Sequence, residues 1–272
     1  MDQLGIKYKY YPINDNLNPN WDELENIVDE KTKALLMVHY FGQPQHIEKF
    51  QNFCKKHKLL LIENNAHGHG GSYNGKQLGT FGDCGVSSPR KMLNIQSGGL
   101  LWLKDKELNI ELSLSPYRSS IFNHLNVSVG NYSPSLKLFL KRLLKKRPQY
   151  ENIEAFREKH LNDYAIDLWS KKVLLKTDFN GMRDYRQKVY KNWHTFALKN
   201  NLIPVFSKLY PEANPWCFPA YVKNHKESIK WFDWGWENNK HVFSWPSLPK
   251  DALSKNNDLL NRWKKLICFG IK

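Results

Sequence analysis

Leu59-Leu60-Leu61-Ile62-Glu63-Asn64-Asn65-Ala66-His67-Gly68-His69-Gly70-Gly71 is the stretch on which the reading of the fold turns. Four apolar residues run, without a polar break, into a carboxylate, two amides, two imidazoles and three glycines. A short strand that is apolar on both faces is one covered on both faces, which is the habit of parallel sheets. Such sheets bind ligands in the crevice beyond the carboxyl ends of their strands, and the polar run starts there. Upstream, Ala34–Tyr40 (ALLMVHY) is a second continuous apolar run of strand length. Between the two, Gln45–His57 sets Ile47, Phe50 and Cys54 on one helical stripe. Strand, helix and strand in this order predict a parallel α/β unit.

Working outward, Ile6–Ile13 is β-rich and Trp21–Val28 has helical spacing. Ser72-Tyr73-Asn74-Gly75 predicts a tight hairpin, because Asn-Gly suits the left-handed positions of a two-residue turn. Short strands are expected near Gly85–Ser88 and Gly99–Leu103. The first of these runs into Ser87-Ser88-Pro89-Arg90-Lys91, a second polar strand end. Segments 132–146, 151–172 and 182–200 carry aromatic and leucine stripes between basic residues and are expected to be helical. The last part mixes Pro-punctuated loops with a strand candidate, Cys217–Val222, and a terminal helix around Leu253–Leu266. The division expected is an α/β unit over 1–105, a connecting helical segment over 106–200 and a smaller α+β portion over 201–272.

With 272 residues, 41% hydrophobic and 25% charged, the composition excludes collagen-like, coiled-coil and fully disordered classes. There is no unbroken apolar run of membrane-spanning length and no apolar leader near Met1. Cys54, Cys84, Cys217 and Cys268 are scattered and lack CxxC spacing, which fits reduced thiols in a cytoplasmic chain. The net charge is +15, and it is uneven: residues 1–104 hold 12 basic and 10 acidic residues, 105–272 hold 29 and 16. The excess is densest at Lys137, Lys141, Arg142, Lys145, Lys146 and Arg147. It can collect a diphosphate-bearing small substrate as well as a polyanion, and it also fits a plain solvated helix face. No nucleic-acid motif accompanies it, and there is no GxSxG, Walker loop, HExxH or GxGxxG.

Lys91 follows a buried strand and lies close to two hydroxyls. Desolvation there favours the neutral amine, the form that makes Schiff bases; the plainer reading is that Arg90-Lys91 is a surface basic pair. Ser87 and Ser88 offer hydroxyls and backbone amides to phosphate oxygens, and Gly98-Gly99 lets the backbone pass close to a ligand. Asn64, Asn65, His67 and His69 form a second cluster, with His67 and His69 on one side if the segment is extended. Together with Glu63 they invite a zinc reading, but three residues that need not converge are weak evidence for metal, and no metal is expected. His39 and Tyr40 border the end of the ALLMV strand, as ligand neighbours or as packing. Trp231, Trp234, Trp236 and Trp245 are a stacking surface or core.

Taken in order, these motifs resemble a known family. Leu35–Pro44 (LLMVHYFGQP), Leu60–Tyr73 (LLIENNAHGHGGSY), Gly79–Asp83 (GTFGD) and Ser87–Lys91 up to Gly98-Gly99 are similar to the DegT/DnrJ/EryC1/StrS family of pyridoxal-phosphate-dependent sugar aminotransferases. The similarity is strongest over residues 4–103. Fainter echoes occur at Arg183–Tyr190, Pro215–Val222 and Trp245-Pro246-Ser247-Leu248-Pro249. The resemblance implies a fold-type I aminotransferase architecture, pyridoxal 5'-phosphate as cofactor and a homodimer with sites at the subunit boundary. It implies transfer of an amino group, usually from glutamate, to a nucleotide-linked keto sugar, in the building of cell-surface polysaccharides or secondary-metabolite sugars. By position Lys91 matches the Schiff-base lysine, and Ser87 or Ser88 the serine near the cofactor phosphate. His67 matches the Gln/His beside the ring, with Ala66 packing nearby. Related dehydratases carry histidine where Lys91 stands.

Two departures qualify the carry-over. Asn64 falls where the family carries aspartate beneath the pyridine nitrogen. An amide can hydrogen-bond that nitrogen but supplies no compensating charge. The chain also begins where the family's large domain is half built and stops short of its last strand and helix, so an incomplete or split enzyme is expected. The other outcome is an impaired relative that binds nucleotide sugar or a protein partner without turnover.

Overall fold

A computed structural model of the chain describes residues 4–107, 113–117, 147, 149–150, 164–245, 248 and 257–271. Helix α1 (Trp21–Ile27) starts at Asn20, whose side chain accepts from the Glu23 amide, and carries Asp22 and Glu23 in its first turn. That is the pairing of side-chain cap and acidic residues that helix N-termini favour. Strand β1 (Ala34–Val38) leads through a 3-10 turn at Tyr40–Gly42 into helix α2 (Ile47–His57). The expected stripe is the buried one: Ile47, Phe50 and Cys54, joined by Phe53. Lys58 ends the helix in the left-handed conformation, with Lys55, Lys56 and His57 at the negative end of the helix dipole.

Strand β2 (Leu60–Asn65) pairs parallel with β1 on one side and with β5 (Cys84–Ser87) on the other. The hairpin β3 (Ser72–Tyr73) and β4 (Lys76–Gln77) turns at Asn74 and Gly75, both at positive φ as the Asn-Gly signal requires. After the short helix α3 (Pro89–Met92), strand β6 (Leu100–Leu103) pairs antiparallel with β5. The sheet order is β1-β2-β5-β6. Leu35, Met37 and Leu61 on one face pack with the α2 stripe and Leu78. Leu36, Ile62 and Cys84 share the opposite face, which leaves Val86 and Leu101 exposed.

Two readings are corrected. Ile6–Ile13 forms no strand; only Ile13 bridges to Pro19. Ile6 and Tyr10 are exposed, so no burial drives pairing, and Pro12 offers no amide to a neighbour. Strand β2, by contrast, runs past Ile62 to Asn65. Glu63 and Asn65 point to the buried face because partners for their polar atoms are built into the neighbouring loops.

The second sheet is antiparallel, in the order β7 (Ile203–Pro204), β8 (Cys217–Tyr221), β10 (Leu266–Gly270), β9 (Val242–Ser244). Helices α4 (Leu168–Lys176), α5 (Phe179–Lys199), α6 (His225–Glu237) and α7 (Asn257–Lys265) accompany it. Its core joins Phe218, Ala220, Ile267 and Phe269 to Tyr190 and Ala197 of α5 and Phe232 of α6, with Trp231 and Trp234 packed against it. The terminal helix ends at Lys265, one residue sooner than its expected limit, because Leu266 opens the central strand β10. Segment 132–146 and residues 151–163 lie outside the described residues, as does the basic cluster apart from Arg147, which pairs with Asp233. No helix among the described residues is long and apolar enough to cross a membrane.

Glu63 is the polar residue on which the first sheet closes. Its fully buried carboxylate accepts from the amides of Gly79 (2.6 Å), Phe81 (2.5 Å) and Gly82 (3.1 Å) and lies 2.8 Å from His39 Nε2. Burial alone would raise its pKa; the His39 contact and the backbone amides outweigh this and hold it below the usual carboxylate value. Glu63→Ala orphans three amides and a buried imidazole. Chemical denaturation should show a loss of about 3–5 kcal/mol; a loss under 1 kcal/mol would mean that the carboxylate is not the closure described.

Candidate active site

Three loops meet at the carboxyl ends of β1, β2 and β5. The first is the Tyr40–Gly42 turn, held by His39, whose Nδ1 accepts from the Gln45 amide at 3.0 Å. Gly42 has positive φ, and a Cβ there would lie 2.5 Å from the Asn214 carbonyl and 2.7 Å from that of His67. Only glycine lets this turn sit against both. The second loop, Ala66–Gly71, is tied from across the molecule by Asn214, which donates to the His69 carbonyl at 2.7 Å. The third is Ser87–Met92, carrying Lys91.

Lys91 Nζ lies 2.6 Å from His67 Nε2 and 5.0 Å from the centre of the Trp216 ring. His67 is stacked on Trp216, centroids 4.7 Å apart, with Trp245 edge-on at 5.5 Å. The Phe41 amide donates to His67 Nδ1 at 3.3 Å. A neutral ring that accepts at Nδ1 carries its proton on Nε2. That Nε2–H can donate to Lys91 Nζ when the amine is uncharged, the nucleophilic form. Burial, and secondarily Lys91, push the His67 pKa down to about 3, so the ring stays neutral.

The remaining candidates divide between site and scaffold. Asn64 is half-buried on the sheet face shared with Val38 and Val86, and its Oδ1 accepts from the Ala66 amide at 2.9 Å. Asn65 points the other way and donates to the carbonyls of Gly68 and Leu78, a structural role. His67 and His69 do not share one side, because the segment turns rather than extends. His69 Nδ1 lies 2.8 Å from the Ser87 hydroxyl, and its ring meets Phe179 edge-on. Ser87 is thus committed; Ser88 starts α3 without capping it and makes no hydrogen bond with its side chain among the described residues. Glu63 and His39 are spent on each other and on backbone amides. Among the described residues no three His, Cys, Asp or Glu side chains are grouped to hold a metal.

Two positioning residues escaped the sequence reading. Buried Arg186 donates 3.0 Å bonds to the carbonyls of Pro215 and Met92, tying α5 at once to the residue before Trp216 and to the helix that bears Lys91. Burial lowers its pKa to about 10, and it stays charged. Trp216, quoted only within PWCFPAYV, is the aromatic floor under Lys91 and His67. Arg186, quoted only within Arg183–Tyr190, and a tryptophan beside a proline carry no local signal of either role.

The donor set fits pyridoxal phosphate. The chemistry is that of an amine, a hydroxyl and an amide: Lys91 lines a cavity of about 270 Å³, while Ser88 and Asn64 stand at the ends of β5 and β2 and do not line it. Comparison with known proteins agrees. Residues 3–116 match the model of the DegT/DnrJ/EryC1/StrS aminotransferase family. A dTDP-4-dehydro-2,3,6-trideoxy-D-glucose 4-aminotransferase of Saccharopolyspora spinosa is 36% identical over 94 residues, 34% of this chain and 24% of that protein. GDP-perosamine synthase of Escherichia coli O157:H7 is 34% identical over 100 residues, 35% of this chain and 28% of that protein. The matched stretch thus spans about a quarter of the length of these curated relatives. Among solved structures, Helicobacter pylori PseC, an aminotransferase involved in the biosynthesis of pseudoaminic acid, superposes with a TM-score of 0.64 at 16% identity, over 98% of this chain and 69% of that one. An E. coli GDP-4-keto-6-deoxy-D-mannose-3-dehydratase with bound hydrated pyridoxal phosphate gives 0.61 at 18%, over 98% and 70%. The architecture is therefore that of the fold-type I aminotransferases, as the resemblance implied.

The burial of the two histidines sets a pH dependence. Folded His67 and His69 titrate near 3 and 4, unfolded ones near 6.5. The stability they contribute is complete above pH 6.5 and is lost as the pH falls, because the unfolded chain takes up protons first. Each should cost about 1.4 kcal/mol per pH unit between about pH 6 and pH 4.5. Urea denaturation of the cofactor-free protein should show His69→Phe removing one proton's worth of that slope; an unchanged slope would contradict the neutral assignment.

Proposed function

We propose that the protein transfers an amino group to a nucleotide-linked keto sugar, with glutamate as donor, and that Lys91 carries its pyridoxal phosphate. The carrying observation is the placement of Lys91 Nζ between neutral His67 and the face of Trp216, at the mouth of a cavity. The family match over residues 3–116 and the printed activities of the relatives support the substrate class. When bound, pyridoxal phosphate supplies an aldehyde for amino groups and a ring that takes up carbanion charge. Lys91 offers the amine that holds it and, once released, a base that moves a proton at Nζ. His67 keeps that amine uncharged and aimed, while Trp216 and Trp245 exclude water from the contact. Ser88, with its hydroxyl uncommitted, is assigned to the cofactor phosphate, and Ala66 and Asn64 to the ring. A homodimer acting in the cytoplasm, with the cofactor half in residues 1–105, completes the reading.

Incubation with pyridoxal phosphate should give a near-visible absorbance band that Lys91→Ala abolishes. Folded wild-type protein without the band would refute the reading.

One feature favours a second reading, a relative that binds nucleotide sugar without turnover. Asn64 has no charge to keep a pyridinium protonated, and its Oδ1 is engaged by the Ala66 amide. Asn64→Asp separates the two. In an enzyme slowed by the missing charge, amino transfer should rise by about tenfold or more, the equivalent of about 1.4 kcal/mol of barrier. Calorimetric binding of a nucleotide sugar with no transfer by either protein would favour the binding role.

A further inference from the structure

Helix α4 is anchored from one side. Trp169, Val173 and Leu174 pack on Met92, Leu93 and Ile95, the residues that follow Lys91. Asp167 fixes its start, accepting from the Ser170 amide at 2.9 Å and from the Ser97 hydroxyl at 2.6 Å. The outer side carries Leu168, Lys171, Lys172, Leu175 and Lys176, all exposed. Leu168 and Leu175, seven residues apart, share one face of the helix. At 79% and 74% they are the most exposed of the large hydrophobic side chains described. The bridge between Ser115 and Tyr164 brings two more exposed side chains, Leu114 and Tyr164, to the start of α4. The three lysines make no side-chain bond among the described residues, and Asp167 is committed inward.

Charge and shape together narrow the partner. A second copy of the chain, docked through this face across a twofold axis, would set lysine against lysine. A nucleic acid would use the lysines and leave the leucines in water. The apolar side chains stand singly between ammonium groups, not around a groove that a partner's side chain could fill. An anionic lipid surface meets both features. Leucines enter the headgroup boundary, and lysines at the same level extend their stems and keep their charge among lipid phosphates.

We propose that the outer face of α4 docks the protein on anionic membranes, lying on the surface without crossing it. Lipid-exposed area comes from Leu168 and Leu175, with Leu114 and Tyr164 at the margin, and attraction from Lys171, Lys172 and Lys176. Each lysine near such a surface is worth about fivefold in affinity. The test is flotation of the full chain with vesicles of phosphatidylcholine, with and without phosphatidylglycerol, and needs neither cofactor nor turnover. Vesicles containing phosphatidylglycerol should bind the wild type at least tenfold more tightly than neutral ones, and salt should weaken the binding. Changing Lys171, Lys172 and Lys176 together to Gln should cost at least thirtyfold. The same change at Lys188, Lys191 and Lys199, exposed on α5, lowers the net charge equally and should cost less than threefold. Leu168→Ser with Leu175→Ser, which leaves the charge alone, should cost at least fivefold. Circular dichroism checks that the variants fold, which their exposed positions favour. No binding to anionic vesicles, or equal losses from the two lysine sets, would overturn the assignment. Lysine dependence without leucine dependence would overturn it too, in favour of a free polyanion or an acidic protein.

Discussion

A carboxylate with no access to water sets the frame of this protein. Glu63 sits inside the first sheet, and its charge persists there because His39 and the amides of Gly79, Phe81 and Gly82 converge on it. A buried charge of this kind is costly unless it is fully satisfied. The four partners come from the end of β1 and from the loop that enters β5. Satisfying the charge therefore fixes the two neighbours of β2 at the edge where ligands bind in such sheets. His39 passes the constraint on by accepting from Gln45, which seats the start of α2.

The second sheet contributes more than a lid. Arg186 reaches from α5 to the Pro215 and Met92 carbonyls, and Asn214 reaches back to His69. These bonds place Trp216 beneath the imidazole and amine supplied by the first sheet. The amine is thus held by groups from two separately cored layers, and a shift between them would move Lys91 away from either His67 or Trp216. Preorganisation of this kind is what amine chemistry needs, since the reacting nitrogen must be both aimed and uncharged.

Much of the first layer was legible because its signals are local. Continuous apolar runs mark β1 and β2, the Ile47–Phe50–Cys54 stripe marks α2, and Asn74-Gly75 marks the hairpin. Lys91, His67 and the two serines stood out as polar residues at strand ends. The failures have physical causes as well. Alternation in Ile6–Ile13 looked like a strand, but pairing depends on a neighbour that the sequence does not reveal. The role of Glu63 went unseen because its partners include backbone amides, which leave no mark in the side-chain pattern. Arg186 and Trp216 act at long range, 95 and 125 residues from Lys91 in the chain, where no spacing rule reaches. The resemblance to the aminotransferase family named the lysine's role; the geometry explains how this chain holds it.

Asn64 gives the site its particular character. The frame around the amine is in place, while the residue that the proposed function assigns to the ring nitrogen is an amide without charge. The pairing of a preserved nucleophile with a weakened electron sink makes covalent capture of the cofactor, rather than turnover, the property that bears most directly on the account. Borohydride reduction of the protein after incubation with pyridoxal phosphate, followed by peptide mapping, measures it. The account predicts one dominant phosphopyridoxyl label, on the peptide that contains Lys91. Label scattered over surface lysines, or missing from that peptide, would contradict it.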